Sequence, residues 1–269
     1  MRPSSRAIFI ELASEAVWDA TRRRIVPMIA CVSLISLLAV DSCTSCGSGN
    51  ITANGEVVPV SEIAGWTGML VISALSLWMM VLAGLLASDH LSEPLSDGSA
   101  GLVLSRPVKR SAFAGARLAG ALAIAMTTAF VVLSGSAALL HLRNGLPLAP
   151  AAWAGLACVA GSVVVGAFAM TLSLRLTRVV TAMSVLVFVG SISFINSFAL
   201  FGVPMGTVGT VVQAFTPPLC TALVVALAPW TDPVVPEVDP VIMILKLVSW
   251  VIVSVGILLG TFNRYEIRQ

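Results

Sequence analysis

One feature recurs along this chain: apolar runs, almost free of charge, of the length a lipid bilayer demands. They fall near residues 25–40, 66–87, 113–140, 153–174, 179–201 and 241–260. A hydrocarbon core of roughly 30 Å takes about 20 apolar residues in helix. Inside it every backbone N–H and C=O must find a partner within the protein, so each run reads as a helix. Composition agrees, with 58% hydrophobic and 10% charged residues and a mean hydropathy of +1.00, where a soluble domain carries about 25% charge. The expected fold class is all-α, a polytopic membrane protein of six transmembrane helices.

The first run is short for a span and follows directly on Arg22, Arg23 and Arg24, so its helix is expected to begin before Ile25. No cleavable leader is expected, because that run follows an acidic, amphipathic stretch and lacks an A-x-A site. In that stretch Ile8, Leu12, Ala16 and Ala20 recur every four residues, with Glu11, Glu15 and Asp19 on another face. This pattern predicts an amphipathic helix lying at the membrane surface. The chain thus divides into an N-terminal amphipathic segment, 1–24, and a six-helix transmembrane domain, 25–269.

Orientation follows from the fifteen Lys and Arg, since short cytoplasmic loops retain positive charge. All but Arg143 and Lys246 fall in the N-terminal segment, the loop after the second span and the start of the third, the loop after the fourth, and the tail. The opposite loops carry Asp41, Glu56, Glu62, Asp232, Glu237 and Asp239. Both termini are therefore expected in the cytoplasm. Residues 208–228 are nearly apolar enough to span, but Pro217 and Pro218 would break such a helix, and a seventh span would place Arg264 and Arg268 outside. The outer region 202–240 is accordingly read as carrying two short half-helices.

Enzymatic motifs are few. A phosphate-cradling P-loop needs Lys followed by Ser or Thr, and the two lysines, Lys109 and Lys246, are followed by Arg110 and Leu247. Any ATPase activity would reside in a partner subunit. Ser136 and His141 are about 500° apart around a helix, so they do not form a hydrolytic pair on one face. With His90 in a charged loop, the histidines offer no metal site. Cys43 and Cys46 form a CxxC in the first outer loop, readable as a structural disulfide, a pair of free thiols or a redox pair. The redox reading makes a membrane thiol oxidoreductase one alternative function, and a non-transporting membrane scaffold is another.

The longest cytoplasmic loop, 88–112, carries "SDHLSEPLSDGSAGLVLSRPVKR". With Ser92 or Ser96 as a candidate cap, acids early and bases late, it reads as a short helix on the membrane surface that Pro107 ends. Within it, "DGSAGLVLSRPVKRSAFAGARLAG" at 97–120 resembles the E-x-G-T...LL-x-R-P-V-x-R...K-x-x-G stretch of type-2 ABC transporter permeases, the ABC-2 family. Gly98, Arg106, Pro107, Val108 and Arg110 match directly, while Asp97, Ser99 and Arg117 stand for Glu, Thr and Lys. The resemblance implies a permease subunit in the bacterial cytoplasmic (inner) membrane. It implies pairing with a second permease subunit, identical or not, and with a cytoplasmic ABC ATPase that binds ATP and Mg. ATP hydrolysis would be coupled through this loop to substrate movement, with export the expected direction.

On that footing the coupling residues are Glu93, Asp97, Gly98, Arg106 and Pro107, with Glu11 and Glu15 on the N-terminal helix. A solvated charged loop that only enforces topology is the plain alternative. Thr127, Thr128 and Asn196 are polar at membrane depth and either line a path or hydrogen-bond helix to helix. No cofactor is expected in this chain. Membrane lipid is an expected partner, and nucleic acid is not.

Overall fold

The computed structural model describes residues 5–22, 31, 34–35, 38–39, 42, 51–53, 56–58, 60–96, 109–200, 206–231 and 239–264. The N-terminal helix α1 spans Ser5–Arg22. Two short strands, β1 (Ile51–Ala53) and β2 (Glu56–Val58), pair antiparallel with Ile51 opposite Val58. Then come α2 (Val60–Ser96), α3 (Arg110–Asn144), α4 (Leu148–Ser173) and α5 (Arg178–Leu200). Two short helices follow, α6 (Gly206–Phe215) and α7 (Leu219–Leu227), with a 3-10 turn at Ala228–Trp230, and α8 (Pro240–Arg264) closes the series. Among the described residues, α2 to α5 and α8 are long and apolar enough to cross a membrane. They match the expected runs from 66–87 onward; most of the 25–40 run lies outside the described residues.

Two buried clusters mark the ends of the bundle. One gathers Leu12 of α1, Leu91 of α2, Phe113 of α3, Met170 and Leu174 of α4, and Leu258 and Phe262 of α8. The other gathers Met69 and Ile72 of α2, Leu140 of α3, Leu146 and Ala151 at the start of α4, and Leu227 and Trp230. The first is the α1 end; the second is the hairpin end, where β2 runs into α2. Successive long helices therefore alternate in direction, and α1 lies at the end where α8 finishes.

This alternation fixes how α6 and α7 relate to the bundle. Arg178, at the start of α5, pairs with Asp89 near the α1 end of α2, so α5 runs toward the hairpin end. The helix α8 must start there, since Leu258 and Phe262 near its close lie at the α1 end. The α6–α7 pair, bent by 82°, thus enters and leaves by the same end of the bundle. The two half-helices read from Pro217 and Pro218 are present as α6 and α7.

Two elements differ from the sequence reading. A surface helix capped by Ser92 or Ser96 was expected within 88–112; residues 97–108 lie outside the described residues, but α2 continues unbroken to Ser96, so Ser92 opens no separate helix. The reason is packing: Leu91 is fully buried at the α1 end, which extends the helix past the charge-free run, and Pro94 falls in its last turn, where the helix is about to stop in any case. The hairpin is the second difference, a small exception to an all-α chain. Its register, with Ala53 opposite Glu56, leaves Asn54 and Gly55 between the strands, the residue pair most favoured in two-residue hairpin loops.

Close packing centres on α2. A Cβ at Gly65 would stand 2.0 Å from the backbone oxygen of Trp230, and one at Gly161 of α4 would stand 2.6 Å from Met80 Cε. Small residues allow such approach where lipid supplies no hydrophobic force between helices. Trp230 is anchored by its indole N–H, which donates to the Pro147 carbonyl at 2.8 Å. Gly145, with φ of 68°, ends α3 in the left-handed conformation and returns its N–H to the His141 carbonyl, the usual reason for glycine there.

Candidate functional site

Among the described residues one pair of apolar helices, α6 and α7, is sharply bent at a short break, forming an elbow. Proline at 217 disfavours helix at the residue before it and has no N–H to continue the ladder, so α6 stops at Phe215. A helix end leaves carbonyls without partners, and non-helical backbone at membrane depth is tolerated only where protein re-satisfies it. Two neighbouring helices do so here. The Lys246 ammonium of α8 donates to the Gln213 carbonyl at 2.8 Å, and the Asn196 amide of α5 donates to the Pro217 carbonyl at 3.1 Å. Locally, the Leu219 and Ala222 N–H groups reach the carbonyls of Pro217 and Pro218. Lys246 also brings positive charge to a helix C-terminus, the end that attracts it.

From the elbow, α7 runs through the hairpin half of the bundle with Leu219, Leu223 and Leu227 buried, whereas α6 has no buried residue. Next to the elbow lies a groove of about 680 Å³. Val180, Met183 and Val187 of α5 form one wall, Phe215 and Pro217 close the elbow end, and Trp250 of α8 stands in it. Phe168 and Phe188, also lining it, stack with ring centroids 3.9 Å apart. Of the hydroxyls along it, Ser184 donates to Val180 O and Thr216 to Gln213 O. Among the described residues no charged side chain lines it. At its far end Val179 adjoins Arg178, paired with Asp89, and Arg175 is exposed nearby in sequence.

A second assembly occupies the α1 end. The helix α1 packs along the start of α3 through Phe9, Leu12 and Ala13, while Glu11 and Glu15 are exposed. Arg117 is buried, its guanidinium 5.4 Å from the centre of the Phe113 ring, and Phe113 in turn stacks on Phe262 of α8 at 6.1 Å. One aromatic and guanidinium stack therefore joins α3 to α8 beside α1.

Glu93 has its backbone in the last turns of α2. Asp97, Gly98, Arg106 and Pro107 lie outside the described residues, as do Cys43 and Cys46. Thr127 and Thr128 donate their hydroxyls to Ala123 and Ile124 of their own helix, which leaves neither free as a donor between helices. Asn196 is buried and holds the elbow. His141, whose Nδ1 lies 2.8 Å from the Leu146 carbonyl, is exposed, and Ser136 is buried on a different face. Among the described residues no three His, Cys, Asp or Glu come together as a metal site.

Sequence reasoning missed the groove, Trp250 and the part of Lys246 at the elbow. The double proline was the available signal, since a broken helix needs donors from elsewhere. The chain matches no protein-family profile and no curated protein. The fold defines its class: a helical chain with several helices fit to cross a membrane.

Proposed function

We propose that this chain is the membrane subunit of an ABC-2 type transporter, joined to a separate cytoplasmic ATPase and a second permease subunit in a bacterial cytoplasmic membrane, and that it works in export. The observation that carries the reading is the packing of α1 against α3 at the end where α2 stops and α3 starts. The stretch that resembles the family's coupling loop joins those two helix ends, so a force applied to it would reach α3 directly. The Arg117–Phe113–Phe262 stack would pass it on to α8.

Charge supports the orientation. Arg6, Arg22, Arg110, Arg117, Arg175, Arg178 and Arg264 belong to the α1 end, while Arg143 closes α3 at the hairpin end and Lys246 lies in the first turns of α8. By the preference of cytoplasmic loops for Lys and Arg, the α1 end faces the cytoplasm and the hairpin faces out. The run 25–40 then supplies a sixth span, with α6 and α7 as a re-entrant pair on the outer side.

Affinity purification of the chain from its native membrane in mild detergent, with mass spectrometry and an ATPase assay, tests this. A P-loop ATPase in equal amount, with activity in the eluate, is the expected result. A chain that purifies alone and without ATPase activity sinks the reading. Replacing both Glu11 and Glu15 by Gln should reduce the co-purified ATPase several-fold while leaving the chain's own yield unchanged.

A further inference from the structure

We propose that the groove beside the elbow holds one acyl chain of an anionic phospholipid, its headgroup at Arg175 and Arg178 and its chain lying along α5 as far as Pro217. The inference needs only that these helices lie in a bilayer and is independent of the transporter reading. Three observations carry it.

The first is chemical. At about 680 Å³ the groove falls within the roughly 300–1,000 Å³ of ordinary ligand sites. Its lining is largely Val, Met, Ile, Phe, Pro and Trp, and two of its hydroxyls, Ser184 and Thr216, are bonded to backbone carbonyls, so a methylene chain suits it better than a polar solute. The second is length. From Val179 to Ile192, both lining the groove, α5 rises about 20 Å at 1.5 Å per residue, enough to cover one leaflet, half of a core of roughly 30 Å. The third is charge complementarity at one end only. Arg178 is partly neutralised by Asp89, Arg175 is exposed, and the other basic side chain near the groove's boundary, Lys246, is engaged at the elbow. The end beside Val179 therefore carries excess positive charge, which suits an anionic headgroup more than a zwitterionic one.

Trp250 gives a direct readout. The full chain is reconstituted in phosphatidylcholine vesicles containing an equal fraction of either phosphatidylglycerol or phosphatidylcholine brominated on the acyl chains. The Trp250 signal is taken as the difference between the native chain and Trp250→Phe. Brominated phosphatidylglycerol should quench Trp250 in preference to the choline lipid, and Arg175→Gln should cut that preference about fivefold, the effect of one basic residue near an anionic lipid. Ser184→Phe, which fills the groove, should abolish the quenching; if that variant does not fold, the surface variant Arg175→Gln still decides. Equal quenching by both lipids overturns the proposal, as does a preference that survives Arg175→Gln. So does a Trp250 shielded from both lipids, the result expected if a second copy or another segment of this chain fills the groove.

Discussion

The seam between α2 and α4 and the flank formed by α5 and α8 are built from similarly apolar helices, yet they meet their surroundings differently. Half of the most apolar window of α2, and of α4, is buried within the protein; for α8 the share is 22%, although its window is the most apolar of the five. In water such a helix would be driven into the core. In lipid it is not, because acyl chains are as apolar as leucine and only shape and polar pairing reward contact between helices. The seam has the shape, with Gly84 admitting Val165 and Gly161 admitting Met80, and Gly65 at the hairpin end of α2 likewise admits the Trp230 backbone. The flank instead presents Ile252, Val253 and Ile257 outward. Both α5 and α8 lean on α4, and the groove lies between them.

Substitutions that exchange the properties of seam and flank test this contrast. The largest effect should come at Gly65, where even a methyl group meets the Trp230 backbone oxygen at 2.0 Å. Gly65→Ala should cost about 3 kcal/mol or more, the upper range for overpacking, read as a lost or strongly lowered unfolding midpoint in detergent. Gly161→Ala should be milder, about 1–2 kcal/mol, because the obstacle is the flexible end of Met80. Met80→Ala should recover part of that loss in a double-mutant cycle.

At the elbow the comparison turns on polar pairing. Asn196→Leu and Lys246→Met each remove one donor to a backbone carbonyl at the break, and each should cost about 1 kcal/mol. A loss below the error of measurement at both positions would show that α7 packing alone holds the elbow. Smaller still, Asp89→Asn breaks the pair with a largely exposed Arg178 and should change stability by about 1 kcal/mol or less. Least of all, Ile252→Ala on the outward face of α8 should lie within about 0.5 kcal/mol of the native chain. A large loss there would mean that protein, and not lipid, covers the face.

Much of the helical plan was legible from apolar runs, and the break at Pro217 and Pro218 from proline chemistry. Helix ends were less so. Residues 88–96 read as loop because charge begins at Asp89, but charge limits how far a helix sits in lipid, not how far it continues, and the burial of Leu91 extends it. The hairpin escaped an all-α reading although Asn54–Gly55 marked it, because strands of three residues carry no periodicity worth the name. In the candidate site Asn196 was visible as a polar residue among apolar neighbours. Trp250 was not, because one aromatic in an apolar run looks like any lipid-facing side chain.

Taken by itself, the sequence determined the solvent of this protein, the segments able to cross it, the place where one helix must break and the surplus of Lys and Arg in alternate loops. Each of these depends on local composition or on a single residue's backbone chemistry. Tertiary structure decided which face of each helix meets protein and which meets lipid, that α6 and α7 enter and leave by one end, and that Lys246 and Asn196 complete their broken backbone. Hydropathy cannot encode those choices, since both environments are equally apolar; they were settled by which surfaces fit closely and which donors came within reach of the unpaired carbonyls.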